Sequence, residues 1–165
     1  MILLTPIKKV LKLNPKCLRI YPVYVLKDSK LYEMYENKEY TPLSVDDAIE
    51  RVYYILKECK KTDVKIIRIG LQTTDEITSS NSQIVGPVCD NFAEYVLSKI
   101  VLDDIEKYIF KNNIKYEENI KKKMNIYTNN NYASIIVGPE KVNKKYLKEK
   151  YGIDIKIKGE NKWKK

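Results

Sequence analysis

The three cysteines are the most reactive side chains of this sequence, and their spacing limits what they can do together. Cys17, Cys59 and Cys89 lie 42 and 30 positions apart, and the sequence contains no histidine. Zinc sites usually take cysteine and histidine in close-spaced pairs. Serine and cysteine nucleophiles usually rely on a neighbouring imidazole base. The pattern therefore predicts reduced thiols without a shared role, and it argues against most zinc-dependent and hydrolase chemistry.

Arg68 is a candidate of a different kind, because it interrupts the apolar run 64–71 (VKIIRIGL). A charge inside such a strand is costly unless it is paired or faces a polar interior. A loop rich in Thr, Ser and Asn follows at 72–83, and α/β proteins bind ligands in the loops that follow parallel strands. The pattern indicates either a polar site at the end of this strand or an Arg68 paired with an acid on the sheet surface.

Positive charge is concentrated in the last third of the chain. Residues 1–110 carry 16 Lys/Arg and 16 Asp/Glu, whereas residues 111–165 carry 15 and 6, which accounts for the whole net charge of +9. Such asymmetry indicates two parts with different surroundings. Lysines of the second part suit phosphate contacts without sequence specificity, and a solvated lysine face is the alternative.

The elements that must position these residues alternate between strand and helix in the first part. The apolar run 18–26 predicts a strand buried on both faces, interrupted at Pro22. Ser44 is expected to cap the helix that follows it. The run 64–71 predicts a second strand, so that the three elements form a strand–helix–strand unit with parallel strands.

The remaining elements follow from apolar spacing and from turn residues. Helices are predicted over 2–13, from Asp90 to about Phe110, and over 140–151, where Gly152 ends the helix. Strands are predicted over 124–127, 132–137 and 153–158.

Five short motifs occur in this order along the chain: Arg19-Ile20-Tyr21-Pro22, Leu31, Tyr40-Thr41-Pro42-Leu43-Ser44, Ile67-Arg68-Ile69-Gly70-Leu71-Gln72 and Val85-Gly86-Pro87. This order resembles the C-terminal part of radical S-adenosylmethionine (radical SAM) proteins, in particular the Elongator-catalytic-subunit-like group of low-GC bacteria. The resemblance covers about residues 5–110. It implies an α/β fold in which residues 1–110 form a partial, TIM-like radical SAM barrel section with parallel strands and an extension helix. Residues 111–165 would form a small basic α+β unit.

The resemblance also implies cofactors and partners. The complete protein would bind a 4Fe–4S cluster and S-adenosylmethionine, and action on tRNA is part of that expectation. Tyr21, Arg68, Gly70 and Gln72 would line the S-adenosylmethionine pocket. The family's close-spaced cysteine trio is not found in this sequence, so the chain alone is expected to bind neither cofactor and to be inactive. The expected partner is the N-terminal half of the barrel, from the same gene or as a separate chain.

One departure from the family follows Gly86-Pro87. The family has phenylalanine, histidine and proline before the next helix, whereas this chain has Val88-Cys89-Asp90-Asn91. No role of that histidine carries over.

A second resemblance concerns the basic part. Residues 136–141, with 143–147 and 152–157, resemble the core of a K-homology module, which clamps a nucleic-acid backbone in a Gly-x-x-Gly loop at a helix start. Lys141 stands in place of the second glycine, and Pro139 removes one amide donor. The resemblance implies RNA contacts by Lys141, Lys144, Lys145 and Lys148, and a plain strand–helix–strand unit is the alternative. A stand-alone RNA-binding or accessory module acting through residues 111–165 is therefore the second functional hypothesis.

The hydrophobic pattern does not predict an association with a membrane. No apolar run approaches the roughly 20 residues of a membrane span. The N-terminal stretch MILLTPIKKVLKL lacks the basic start of a signal peptide and is typical of an amphipathic helix. A cytoplasmic protein is expected, and whether Met1 is the natural start stays open.

Overall fold

The computed structural model describes residues 4–71, 84–114 and 122–159 of the chain. It is a mixed α/β structure that divides into two compact units, Met1–Ala93 and Glu94–Lys165, here called the N-terminal and C-terminal units. The boundary that the charge pattern predicts, between residues 110 and 111, stays a prediction. No helix in the described ranges has the length and apolar character needed to cross a membrane.

The N-terminal unit alternates short strands with helices. Its elements are α1 (Leu4–Leu11), β1 (Cys17–Ile20), β2 (Val25–Leu26), α2 (Lys30–Glu36), α3 (Val45–Cys59), β3 (Lys65–Ile69) and β4 (Ile84–Val85). β1 pairs with β3, and β2 pairs with β4 in antiparallel fashion. The described strands form two-stranded sheets, and a closed barrel is not seen among them.

β1 and β3 form the predicted parallel pair. Cys17 lies opposite Lys65 and Ile20 opposite Ile69, with an irregularity after Leu18 that inserts one extra residue, Ile67, into β3. β1 ends two residues before Pro22, as the proline predicts. The expectation of burial on both faces is wrong, because exposed residues alternate with half-buried ones along β1 and no residue of β1 or β3 is buried. A two-stranded sheet has too few neighbours to cover both of its faces.

Helix α3 connects the two parallel strands and begins where the sequence predicts. The Asp47 amide donates a hydrogen bond of 3.1 Å to Ser44 Oγ, which satisfies one of the free amides of the first turn. The inward face of the helix carries its buried residues: Ala48, Ile49, Val52, Tyr53, Leu56 and Cys59. Their spacing of three and four residues forms one apolar stripe. The predicted cap is confirmed.

The C-terminal unit contains most of α4 (Phe92–Lys111), then β5 (Lys122–Thr128), α5 (Asn130–Val137), a 3-10 turn (Pro139–Lys141), α6 (Val142–Tyr151) and β6 (Ile153–Gly159). β5 and β6 run parallel over seven residue pairs, from Lys122 opposite Ile153 to Thr128 opposite Gly159. The core of the unit is formed by buried residues of α4, α5, α6 and β6: Ile105, Ile109, Ile136, Leu147, Tyr151, Ile153 and Ile155. The predicted strands around 124–127 and 153–158 are confirmed.

The predicted strand over 132–137 is wrong, because these residues belong to helix α5. Its apolar content reads locally as a strand. In the folded chain, however, the half-buried Ala133 and the buried Ile136 lie three positions apart, which is helical spacing. Packing of Ile136 into the core outweighs the local strand preference of Ile135, Ile136 and Val137.

Candidate functional sites

The carboxyl ends of β1 and β3 carry the residues assigned to a cofactor wall. Tyr21 follows the last residue of β1, and Gly70 follows the last residue of β3. The Gly70 amide donates a hydrogen bond of 2.9 Å to the carbonyl oxygen of Ile20, so the two ends lie side by side. Arg68 lies one position before the end of β3. Tyr21, Arg68 and Gly70 thus lie together at the carboxyl end of the two strands. Gln72 lies outside the described residues.

Arg68 lies opposite Arg19 in the parallel ladder, and both side chains are exposed. The extra residue in β3 brings Ile67 and Arg68 to the exposed surface in succession. The desolvation cost that singled out Arg68 in the sequence does not arise at an exposed position. The parallel register thus places two positively charged side chains next to each other on the exposed part of the sheet.

Gly70 is required by packing as well as by backbone conformation. Its φ is +74°, and a Cβ added there would lie 3.3 Å from Cδ1 of the buried Phe92. A left-handed conformation in close contact with an aromatic ring favours glycine. The position of Gly70 is therefore explained within the N-terminal unit without any ligand.

The cysteines show no shared site. Cys17 is exposed and Cys59 is buried, and all three thiols are free. Burial raises the pKa of Cys59, and burial together with the carboxylates of Asp90 and Asp46 raises the pKa of Cys89. Both thiols stay protonated at neutral pH and are poor nucleophiles. Over residues 4–71, 84–114 and 122–159, no group of three or more His, Cys, Asp or Glu side chains is placed to hold a metal ion.

Two of the four predicted RNA-contacting lysines lie on one side of helix α6. Lys145 and Lys148 are exposed and lie three residues apart, which places them on the same face of α6. Lys141 is also exposed, but it lies in the turn before the helix. Lys144 is directed elsewhere, because its Nζ lies 3.2 Å from Oδ1 of Asp154 on β6. The structure therefore groups Lys145 and Lys148, pairs Lys144 with Asp154 and places Lys141 in the turn before the helix.

The turn before α6 has an unusual backbone. Gly138 has φ of +79° and ψ of 151°, and Glu140 and Lys141 both have positive φ. A Cβ on Gly138 would lie 2.7 Å from Cγ1 of Val142 and 3.1 Å from the amide nitrogen of Asn143. Only glycine fits a turn this tight. The turn brings Lys141 to the start of α6.

A comparison with protein-family models identifies the first part of the chain. The model described as the radical SAM C-terminal domain matches residues 15–101, more than half of the 165-residue chain.

The chain belongs to the radical SAM C-terminal domain family.

Searches of curated proteins and of solved structures gave no significant match. The radical SAM C-terminal domain includes β1, α3, β3 and the strand-end residues Tyr21, Arg68 and Gly70. The lysines of α6 lie beyond the matched residues, so the family says nothing about them.

Two polar residues that hold the C-terminal unit together were missed by sequence reasoning. The first is Asn143, which is only 2% exposed. Its Nδ2 donates hydrogen bonds to the carbonyl oxygens of Ser98, at 2.9 Å, and Ile136, at 3.3 Å. It therefore ties α6 to α4 and α5. The signal was present in its four-residue spacing from Leu147 and Tyr151, which are the buried residues of the same helix.

The second missed residue is Glu106 on α4. Its Oε1 accepts hydrogen bonds from Tyr146 at 2.9 Å, Tyr151 at 2.7 Å and Lys150 at 3.0 Å. Burial alone would raise the pKa of Glu106. The hydrogen bonds from Tyr151, Lys150 and Tyr146 and the charge of Lys150 outweigh burial and hold this pKa below its ordinary value of 4.5. These contacts span 40 residues or more, which no local pattern predicts.

Proposed function

We propose that this chain is the C-terminal part of a radical SAM protein of the Elongator-like group, and that β1, α3 and β3 complete a barrel whose other strands come from the N-terminal half. The observation that carries this proposal is the exposed apolar surface on a strand–helix–strand unit of the matched family. Complete radical SAM proteins of this group would act on tRNA.

The exposed apolar residues follow the two parallel strands and their continuations. Ile67 is 53% exposed in β3, and Leu71 follows the strand. Tyr21 and Val23 are exposed after β1. Strands of this apolar character are seldom left uncovered, because their open edges and faces invite pairing with another chain. In a complete barrel, neighbouring strands would pair with the open edges, and the rest of the barrel would cover the exposed faces.

The described residues do not fit a 4Fe–4S cluster. A cluster of this type is held by cysteine thiolates, whereas Cys17, Cys59 and Cys89 share no site and no other suitable group is found in the described part of the chain. The cluster ligands are therefore assigned to the N-terminal half. No chemical step is derived from the residues of this chain.

For S-adenosylmethionine, the proposal assigns Tyr21, Arg68, Gly70 and Gln72 to one wall of the pocket. The shared edge of Tyr21, Arg68 and Gly70 supports this assignment, because ligands of parallel α/β folds lie at the carboxyl ends of the strands. Completion of the pocket requires the N-terminal half.

Complex formation tests the proposal. The intact chain would be mixed, under anaerobic conditions, with an N-terminal radical SAM half-barrel that carries the cysteine trio and comes from an Elongator-like protein. Size-exclusion chromatography with light scattering is expected to show a 1:1 complex that persists at 1 M salt, because the contact is apolar. Ile67→Lys should weaken this complex at least tenfold, since a lysine would be buried without a partner.

Val142→Lys is the matched control, because Val142 is 48% exposed and lies in the C-terminal unit. It should leave the complex unchanged. Failure of the wild-type chain to form a complex, or equal weakening by both substitutions, would contradict the proposal.

A second candidate function is RNA binding by the basic part of the chain, residues 111–165. The observation that favours it is the pair of exposed lysines Lys145 and Lys148 on α6, with the exposed Lys141 in the tight turn at the start of that helix. Amide groups and the dipole at a helix start favour phosphate, and lysines add charge without sequence specificity. The double variant of Lys145→Gln and Lys148→Gln tests this candidate.

Unfractionated tRNA would be titrated at several salt concentrations. The double variant is expected to bind about tenfold more weakly at 50 mM salt and to lower the slope of log affinity against log salt by about 2, because each phosphate contact contributes about 1. Lys144→Gln is the control, because Lys144 is paired with Asp154, and it should change affinity by less than about twofold. Unchanged affinity and slope in the double variant would exclude this helix face.

A further inference from the structure

The β5–β6 sheet has one face that the core does not use. Side chains alternate along a strand, so that Met124 and Ile126 of β5 face the core together with Ile153 and Ile155 of β6. The alternate residues point outward. On β5 these are Lys123, Asn125 and Tyr127, and on β6 they include Lys156 and Lys158.

The outward residues are paired across the two strands. Asn125 lies opposite Lys156, and Tyr127 lies opposite Lys158. The Nζ of Lys158 is 5.8 Å from the centroid of the Tyr127 ring. Tyr127 is nevertheless 62% exposed, which is unusual for so large an aromatic side chain in a strand. The face therefore presents an accessible ring with a cation beside it.

Within the described strands β5 and β6, the acidic side chain on this face is already paired. The outward acid of the sheet is Asp154, which lies opposite Lys123 in the ladder and is held by Lys144 from α6 at 3.2 Å. Lys156 and Lys158 extend beyond Asp154 toward the exposed end of the strand. The described side chains that lie beside Tyr127 on this face therefore include positive charge, from Lys158 directly opposite it.

A groove adjoins the same face. It has a volume of about 750 Å³ and lies between the end of α4 and strand β5. Its lining includes Tyr108, Asn112, Asn125 and Tyr127, together with Lys122 and Lys123. The volume falls in the range of small-ligand pockets. Tyr108, like Tyr127, is more than half exposed.

We infer that this outward face and its groove bind single-stranded nucleic acid, with Tyr127 as the residue on which a base stacks. Every base has a face that stacks on an aromatic ring, and a cationic surface follows the phosphates. The amides of Asn112 and Asn125 suit the edges of an unpaired base. A duplex would hide those edges and the stacking faces of its bases, so the chemistry selects single strands.

This inference goes beyond the RNA contacts proposed for helix α6. The sheet face lies on the side of β5 and β6 opposite to the core, whereas Lys145 and Lys148 belong to the helix that packs on the core side through Leu147. An experiment can therefore exclude nucleic-acid binding by one of these surfaces without excluding it for the other. The radical SAM assignment does not enter the argument.

Fluorescence anisotropy with the intact chain tests the inference, using a labelled 12-nucleotide A-rich RNA, the DNA strand of the same sequence and a 12-base-pair duplex. Tyr127→Val keeps a strand-favouring side chain but removes the ring. It is expected to weaken single-strand binding about 5- to 150-fold, whereas Tyr127→Phe should stay within about twofold. Tyr132→Ala, another exposed tyrosine of the same unit, should have no effect.

Circular dichroism melting of each variant separates loss of binding from loss of fold. Tighter binding of the RNA strand than of the DNA strand would identify RNA as the ligand. Equal binding of the two would show that the face binds single strands of either kind. Both outcomes support the inference. Absence of single-strand binding, tighter binding of the duplex, or equal effects of Tyr127→Val and Tyr132→Ala would overturn it. Binding that survives Tyr127→Val but not the Lys145/Lys148 double variant would also overturn it and would leave the helix surface as the site.

Discussion

Replacement of Gly138 by alanine is expected to lower the free energy of unfolding of the C-terminal unit by about 2–5 kcal/mol. The φ and ψ of Gly138, +79° and 151°, lie in a region that is essentially restricted to glycine. The added methyl group would also lie 2.7 Å from Val142 Cγ1, so that the start of α6 must shift. Denaturant titration of the intact chain, followed by circular dichroism, measures the change.

Gly159 provides the control for this substitution. It is the last residue of β6, and a Cβ added there would meet no atom within 4 Å. Gly159→Ala should therefore change the free energy of unfolding by no more than about 0.5 kcal/mol. If Gly138→Ala proved as mild as Gly159→Ala, the tight turn before α6 would not be the one described.

The Glu106→Gln substitution is expected to lower the free energy of unfolding by about 1–3 kcal/mol at pH 7. Glutamine has about the same size as glutamate and retains one acceptor oxygen. It lacks the negative charge that attracts Lys150 and strengthens the hydrogen bonds from the hydroxyls of Tyr146 and Tyr151. Asp104→Asn on the same helix is the control. Asp104 contacts Lys107 at 3.3 Å in an exposed pair, and such pairs contribute little.

The effect of Glu106 should depend on pH in one direction. Its pKa is lower in the folded chain than its ordinary value of 4.5. The stabilisation is therefore fully present above about pH 4.5 and is lost as the pH falls through the lower, folded-state pKa. Denaturant titrations should show a clear difference between wild type and Glu106→Gln at pH 7, and this difference should shrink as the pH falls below about 4.5. A difference that did not shrink with falling pH would mean that charge on Glu106 is not its cause.

The parts of the fold that sequence predicts are those fixed by local chemistry. Ser44 caps α3 because its hydroxyl lies three residues before a free amide, and the sequence alone shows this spacing. Pro22 keeps β1 short, and Gly152 ends α6 with the left-handed conformation expected of a glycine at that place. The parallel pairing of β1 and β3 follows from the length of the crossover between them.

The parts that sequence does not predict depend on contacts between distant residues. Helix α5 replaces a predicted strand because Ile136 packs into a core formed by α4, α6 and β6. Asn143 and Glu106 look like ordinary surface residues until α4 lies beside α6. The nearly continuous hydrophobicity of the apolar strands predicts burial on both faces, whereas the described residues give each strand one partner and leave no residue of β1 or β3 buried.

For the candidate sites as well, some features can be predicted from the sequence and others depend on contacts between distant residues. The shared strand edge of Tyr21, Arg68 and Gly70 follows from parallel pairing, which the sequence predicts. Grouping of Lys145 and Lys148 follows from helical spacing, but the ion pair of Lys144 with Asp154 requires the packing of α6 on β6. The outward position of Tyr127 follows from the register of β5, which becomes visible only when β6 is paired with it.

Hydrogen exchange on the complex tests the central claim most directly, namely that β1 and β3 complete a radical SAM barrel. The intact chain would be labelled alone and after addition of the N-terminal half-barrel. Exchange of amides in β1 and β3 is expected to slow at least tenfold in the complex, while amides of β5 and β6 exchange as before. Unchanged exchange in β1 and β3, or slowing confined to β5 and β6, would contradict the account.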